Sequence, residues 1–208
     1  FGNNDDAHRT AQDLVAAGIE VAALVDSRPE ADANGDFPIY AGSMICGSRG
    51  RHGLKSVQLQ RLDGTTDTIE ADCLAVSGGW NPTVHMTCHM NGRPKWQPEI
   101  ASFIPVPKTI PGLFAAGACN GVFSTHRCLQ EGHLAANAAL SALKIKIKKT
   151  PIPKAEDQGY SISALWAVPG EARAWVDLQN DVTVKDIKQA AVESYSSVEH
   201  MKRYTTQG

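Results

Sequence analysis

No stretch of the 208-residue sequence stays apolar over the ~20 residues that a membrane-spanning helix needs, so no membrane association is expected. Neither sign of charge is in excess: 20 Lys and Arg stand against 22 Asp and Glu, a formal net charge of −2. A balance so near neutral has no electrostatic footprint for nucleic acid, and DNA and RNA are set aside as partners. Cysteine is sparse and unpatterned. Cys46, Cys73, Cys88, Cys119 and Cys128 are odd in number and scattered, which suits a reducing, cytoplasmic compartment better than a disulfide framework. There is no initiator Met and no secretory signal. The opening Phe1-Gly2-Asn3-Asn4 reads as a turn whose preceding strand lies elsewhere, so the expectation is a piece of a longer polypeptide. What is present is ordinary globular composition, with 42% hydrophobic and 20% charged residues. The length suits one large domain or two small ones.

Residues 5–17 place Ala7, Ala11, Leu14 and Val15 at helical spacing, and Gly18 supplies a stop. Residues 19–25 are a mostly apolar run, read as a buried parallel strand ending at Asp26. The chain therefore begins as a βαβ unit without its first strand. A polar loop leads to a further strand within residues 37–46. Residues 54–62 alternate in polarity, Asp63-Gly64 is a hairpin signal, and residues 65–71 are the returning strand. Residues 72–79 and 113–117 read as buried strands that run into glycine, and residues 126–143 as a helix rich in Ala and Leu. Lys144, Lys146, Lys148, Lys149 and Lys154, with Pro151 and Pro153, make residues 144–159 a solvated linker. Residues 160–208 form a small module with candidate helices at 184–194 and 197–204.

A dinucleotide fold needs glycine between its first strand and helix, because pyrophosphate rests on exposed backbone N–H groups at the helix N-terminus. Here the turn is Gly2-Asn3-Asn4-Asp5-Asp6-Ala7, which keeps only the first glycine. Asp5 and Asp6 suit a helix N-terminus by offsetting its dipole and capping its N–H groups. They also repel a pyrophosphate in the same place. Asp26, ~20 residues on, holds the position of a ribose-binding carboxylate, but beside this turn it reads as a strand-end residue. The expectation is a retained fold with lost binding.

Ser77-Gly78-Gly79-Trp80-Asn81-Pro82 permits close backbone approach and a sharp exit. Ile110-Pro111-Gly112-Leu113-Phe114-Ala115-Ala116-Gly117-Ala118, then Gly121 and Glu131-Gly132-His133, match the strand–glycine–helix unit with which two-dinucleotide flavoproteins close over the cofactor's centre. Those proteins usually follow the glycine with an Asp that bonds the ribityl chain. Ala118 stands there instead, which argues against ordinary FAD binding. His85 and His89 are four apart, a spacing that on a helix could share a metal. No further ligand is near and Pro82 and Pro94 oppose a long helix, so no metal site is assigned. Cys119, His126 and Cys128 read as packing or pocket-wall residues. No Ser/His/Asp set or carboxylate pair emerges, and catalytic residues stay unassigned.

The tail, with Asp177-Leu178-Gln179-Asn180-Asp181-Val182-Thr183 and Lys202-Arg203-Tyr204-Thr205-Thr206, resembles the small ferredoxin-like cysteine module of bacterioferritin-associated type found on amine-oxidising flavoenzymes. Asp177 and Gln179 occupy the positions of its Cys-x-Cys pair. A carboxylate and an amide do not replace thiolates on an iron–sulfur cluster, so the module is expected to pack without one.

Together with the Asn-Asn-Asp-Asp-Ala turn, Val25-Asp26-Ser27-Arg28, the 77–82 and 116–118 motifs and Ser124-Thr125, this tail resembles the alpha subunit of heterotetrameric sarcosine oxidase. The resemblance runs over essentially the whole chain. It implies an α/β fold, part of a two-dinucleotide-binding-domain architecture of FAD/NAD(P) type: residues 1–143, then the linker and the cluster-less module, leading to a folate-binding domain beyond residue 208. It implies an oxidoreductase acting on CH–NH groups, which demethylates sarcosine oxidatively and passes the one-carbon unit to tetrahydrofolate, in a complex with beta, gamma and delta subunits. FAD and FMN belong to that complex, and the fragment alone is expected to be inactive. The alpha subunit is implied to hold NAD at the positions of Gly117, Ala118, Phe123 and Thr125.

Two other readings stand beside it. One is a subunit of an FAD-dependent amine or opine dehydrogenase, which the missing cysteines and Ala118 oppose. The other is a scaffold subunit without nucleotide, for which degenerate turns are expected.

Overall fold

A computed structural model describes residues 1–31, 34–148, 150–170 and 173–207. Asp32 and Ala33 of the polar loop, Lys149 of the expected linker, and Glu171, Ala172 and Gly208 of the expected tail module lie outside the described residues. The chain divides into two compact units, Phe1–Val168 and Pro169–Gly208. The division thus falls later than the expected start of the tail module at residue 160.

In the first unit, helix α1 (Asp5–Ala16) begins at Asn4, whose side chain accepts from the Asp6 and Ala7 N–H groups. The helix ends in a Schellman turn: the Ile19 N–H donates to Leu14 O at 3.0 Å and the Gly18 N–H to Val15 O at 2.9 Å. Gly18 takes φ +80°, which an L side chain resists. This turn corrects the strand expected over residues 19–25. It draws Ile19 out to solvent, at 52% exposure, and only β1 (Leu24–Asp26) joins a ladder. Ala7 and Ala11, one turn apart on α1, bury against Leu24, with Val21, Phe37 and Ile39 packed around them.

The strand expected within residues 37–46 is two strands, β2 (Ile39–Ala41) and β3 (Ser43–Arg49), separated by Gly42 at φ +61°. β2 runs parallel to β1. Strands β4 (Ser56–Arg61) and β5 (Thr66–Glu70) complete an antiparallel meander in the order β3-β4-β5. The expected hairpin turn is in place: the Thr65 N–H donates to the Asp63 carboxylate at 2.9 Å, and Gly64 has φ +83°. Val57 and Leu59 are the buried apolar residues of strand β4, and Leu59 is wholly enclosed. Such burial contributes about 2 kcal/mol for a leucine.

Gly2 lies between Asp26 and Ser77, bridged in parallel to both. The Gly2 N–H donates to Val25 O and the Ser77 N–H to Phe1 O, each at 2.9 Å. The parallel order is therefore Ser77, Gly2, β1, β2. Residues 72–79, expected as a buried strand, make only this one bridge, and Val76 is 65% exposed. A strand needs a ladder, and among the described residues the backbone of this segment bonds other backbone only at Phe1, through Ala75 O and the Ser77 N–H. The same reason corrects residues 113–117, which form no strand.

Beyond a short helix α2 (His85–His89), strands β6 (Lys95–Gln97) and β7 (Ser102–Ile104) pair antiparallel, with Trp96 edge-on to Phe103. Helix α3 (Thr125–Ala142) follows, capped by Ser124. Its 18 residues include no buried one, although Leu129 and Leu134 lie on it. In the second unit, β8 (Trp175–Asp177) pairs with β9 (Val182–Thr183) ahead of α4 (Val184–Val192) and α5 (Val198–Thr205). Thr183 and Asp186 form a reciprocal capping box at the start of α4. Both expected tail helices are present within two residues of their expected ends.

Candidate functional site

Two glycine turns that lead from extended segments towards helices carry the chemistry that the sequence singles out. At the first, Asn4 is fully buried and its amide bonds Asn3, Ser77 O and the Ser77 hydroxyl. The Asp5 carboxylate takes the Arg28 guanidinium at 2.6 Å and the Ser161 N–H at 2.6 Å. Asp6 pairs with Arg9 and accepts from the Trp80 indole. Asp26 has no exposed surface; it meets His8 Nε2 at 2.7 Å and the Arg28 Nη2 at 2.8 Å. Burial by itself would push the Asp26 carboxyl up, but the Arg28 guanidinium and N–H, with His8, hold it below the ordinary carboxylate range. The candidate ribose-binding carboxylate is thus committed to protein partners.

At the second turn, Gly117–Asn120 forms a single 3₁₀ turn, with Gly117 at φ +68° and Gly121 at φ +81°. Added Cβ atoms would press on Cys128 Sγ at 3.3 Å and on Ile100 and Ile104 at 2.8 Å, so both glycines answer to geometry as well as to space. Glu131, one of the residues to which sequence reasoning gave no role, reaches back from α3 to fix the turn. Its carboxylate accepts from the Gly117 N–H at 2.9 Å and from the Asn120 amide at 3.2 Å. The Val122 N–H closes the loop onto Gly117 O. Cys119 and Cys128 donate to the carbonyls of Ala116 and Val122, each at 3.1 Å, as packing thiols do.

The four expected contact residues all belong to this turn and its exit. Gly117 is buried, Ala118 and Thr125 are exposed, and Phe123 is half-buried, edge-on to Tyr160 with ring centroids 4.9 Å apart. Beside the turn lies a groove of about 640 Å³, walled by residues 105–115 with Thr87, Asn120, Glu131 and Leu134. Gly117, Ala118, Phe123 and Thr125 are not among its walls. Tyr160 left no local signal, because its partners Trp80 and Phe123 lie tens of positions away, whereas Glu131 stood in the quoted motif without an assigned contact. Arg28 did leave a signal, two residues after Asp26 in a chain with few buried charges.

His85 and His89 are both exposed on helix α2, and no group of three or more His, Cys, Asp or Glu side chains converges among the described residues. In the tail, Asp177 closes an Asx turn, accepting from the Gln179 N–H at 2.8 Å and the Asn180 amide at 2.8 Å. No helix among the described residues is long and apolar enough to cross a membrane.

The fold class follows from comparison with solved structures. The crystal structure of L-proline dehydrogenase from P. horikoshii superposes on 99% of this chain and 39% of its own, with a TM-score of 0.57 at 14% identity. The chain thus has the mixed α/β fold of part of that dehydrogenase. Its sequence relationship is narrower: over its full length it is similar to sarcosine oxidase alpha subunits. That of Rhizobium meliloti (strain 1021) is 39% identical over 100% of this chain and 21% of its own length. That of Corynebacterium sp. (strain P-1) is 31% identical over 98% of this chain and 23% of its own. The chain therefore spans about a fifth of the length of these relatives. Residues 171–208 match the family model of the sarcosine oxidase A3 domain. The resemblance read from the motifs holds across the chain.

Proposed function

We propose that this chain is the stretch of a sarcosine oxidase alpha subunit that holds an NAD-type dinucleotide at the turn leading into α3. The observation that carries the reading is the contrast of the two turns. The first is filled by protein groups, whereas the second presents Ala118 and Thr125 to solvent from a backbone fixed by Glu131. Ala118 sets no carboxylate against phosphate oxygens, Gly117 permits close backbone approach, and Thr125 offers a hydroxyl at the helix start. These residues fit a nicotinamide dinucleotide better than FAD, whose ribityl chain lacks its usual Asp partner here. When bound, the dinucleotide would supply a phosphate-bridged, charged ligand; this chain's residues would seat it and orient it.

In this reading the parent protein is an oxidoreductase acting on CH–NH groups. It works in a cytoplasmic heterotetramer with beta, gamma and delta subunits, carries FAD and FMN elsewhere in the complex, and transfers the one-carbon unit to tetrahydrofolate on a downstream domain. The dinucleotide-type region and its linker run on through residues 160–168, and the tail module from residue 169 serves packing without a cluster. The test is extraction of nucleotide from the full-length subunit in its complex. NAD is expected in stoichiometric amount, and Ala118→Asp is expected to lower it about tenfold or more, because a carboxylate then faces phosphate oxygens. Full NAD content in an assembled Ala118→Asp complex would refute the contact. Flavin absorbance in the isolated subunit would restore the amine or opine dehydrogenase reading.

A further inference from the structure

In open parallel sheets, ligands bind outside the carboxyl ends of the strands where the strand order reverses. Here that point lies between Gly2, which leads through α1 to β1 on one side, and Ser77 on the other. The chain itself fills the place. Residues 159–163 cross in front of the α1 N-terminus: the Asp5 N–H donates to Ser161 O at 3.1 Å, the Ser163 N–H to Asn3 O at 2.9 Å, and the Asn3 amide to Ser163 O at 2.8 Å. Ile162 is bridged antiparallel to Asn4. Arg28 and Arg9 clamp the same segment through Ser161 O and Gly159 O. The second glycine of the 77–82 motif serves this contact too. A Cβ on Gly79 would lie 2.4 Å from Ile162 and 2.8 Å from the Tyr160 hydroxyl.

The place in front of the turn at Gly2 and the close approach that Gly79 permits are thus taken by residues 160–162. The strap also reaches the open turn. Its Tyr160 accepts from the Trp80 N–H at 3.2 Å and sets its ring edge-on to Phe123. The ring is held at one end by the sealed crevice and at the other by a residue of the proposed dinucleotide turn. We propose that residues 160–163 are the crevice's own occupant, and that Tyr160 is a positioning residue that holds Phe123 for the second turn. This rests on the dinucleotide reading for its consequence, but not for its geometry.

The experiment uses the full-length subunit in its complex, with hydrogen exchange and extracted NAD as separate readouts. In the wild type, the amides of Asp5, Ser161 and Ser163 are expected to be protected. Tyr160→Ala is expected to raise exchange across residues 117–125 about tenfold and to lower NAD content severalfold. Tyr160→Phe keeps the ring and is expected to retain both within about twofold. Ser161→Pro, which removes the N–H given to Asp5, is expected to free the Asp5 and Ser163 amides. Unprotected strap amides in the wild type, or exchange at 117–125 unchanged in Tyr160→Ala, would overturn the proposal. So would a loss in Tyr160→Phe equal to that in Tyr160→Ala. If the wild-type complex yields no NAD, the functional reading fails alone, and exchange at 117–125 still decides the role of Tyr160.

Discussion

The first and second turns share a plan, a glycine at the end of an extended segment followed by a helix, yet one is closed and the other open. Around Gly2 every polar group has a protein partner: Asn4 caps α1, Asp5 and Asp26 grip Arg28, and residues 161–163 lie across the front. Around Gly117 the partners come from behind, through Glu131, and Ala118 and Thr125 face outward. A glycine-rich turn is therefore only permission for close approach. What approaches is set by charge and by distant chain.

The comparison breaks most sharply at Asp26. Asp26→Asn leaves Arg28 and His8 beside a buried neutral amide and is expected to cost about 3 kcal/mol, read as a lowered midpoint in denaturant titration. Acid should reproduce part of this loss. The folded Asp26 carboxyl is held below its ordinary value, so its contribution is complete above pH ~4 and disappears as the pH falls through the lower folded value. A stability profile flat from pH 5 to pH 2 would contradict the pairing.

Gly117→Ala sharpens the other side. The αL backbone and the Cys128 contact are expected to cost about 1–2 kcal/mol, with the thermal midpoint as readout. The smallest effect is expected on α3. Leu134→Gln, at a position 65% exposed, should change the stability of this chain by no more than about 0.5 kcal/mol. A large loss would mean that α3 is covered in solution.

Local order was legible wherever its cause was local. Ala7, Ala11 and Gly18 define α1, Asp63-Gly64 defines the hairpin, and the Ala/Leu run defines α3. The acidity of the first turn suggests helix capping and repulsion of phosphate; the geometry adds that Arg28 and the Ser161 N–H engage Asp5 there. Residues 19–23, 72–79 and 113–117 misled because apolar runs specify burial without supplying a ladder partner. Tyr160 and Ser161 read as the start of the tail module, just past the lysine- and proline-rich linker. Their role depends on Trp80 and Asp5, the latter 156 positions away, and no periodicity spans such a distance.

The strap also sets an order of events in folding. The β3-β4-β5 meander joins neighbours in sequence and can close early, whereas the contact of Asn3 with Ser163 spans 160 positions. Contacts of such separation carry the largest loop-closure cost and form late. During synthesis at roughly 5–20 residues per second, the crevice beside Gly2 stands open for some seconds after its own walls exist.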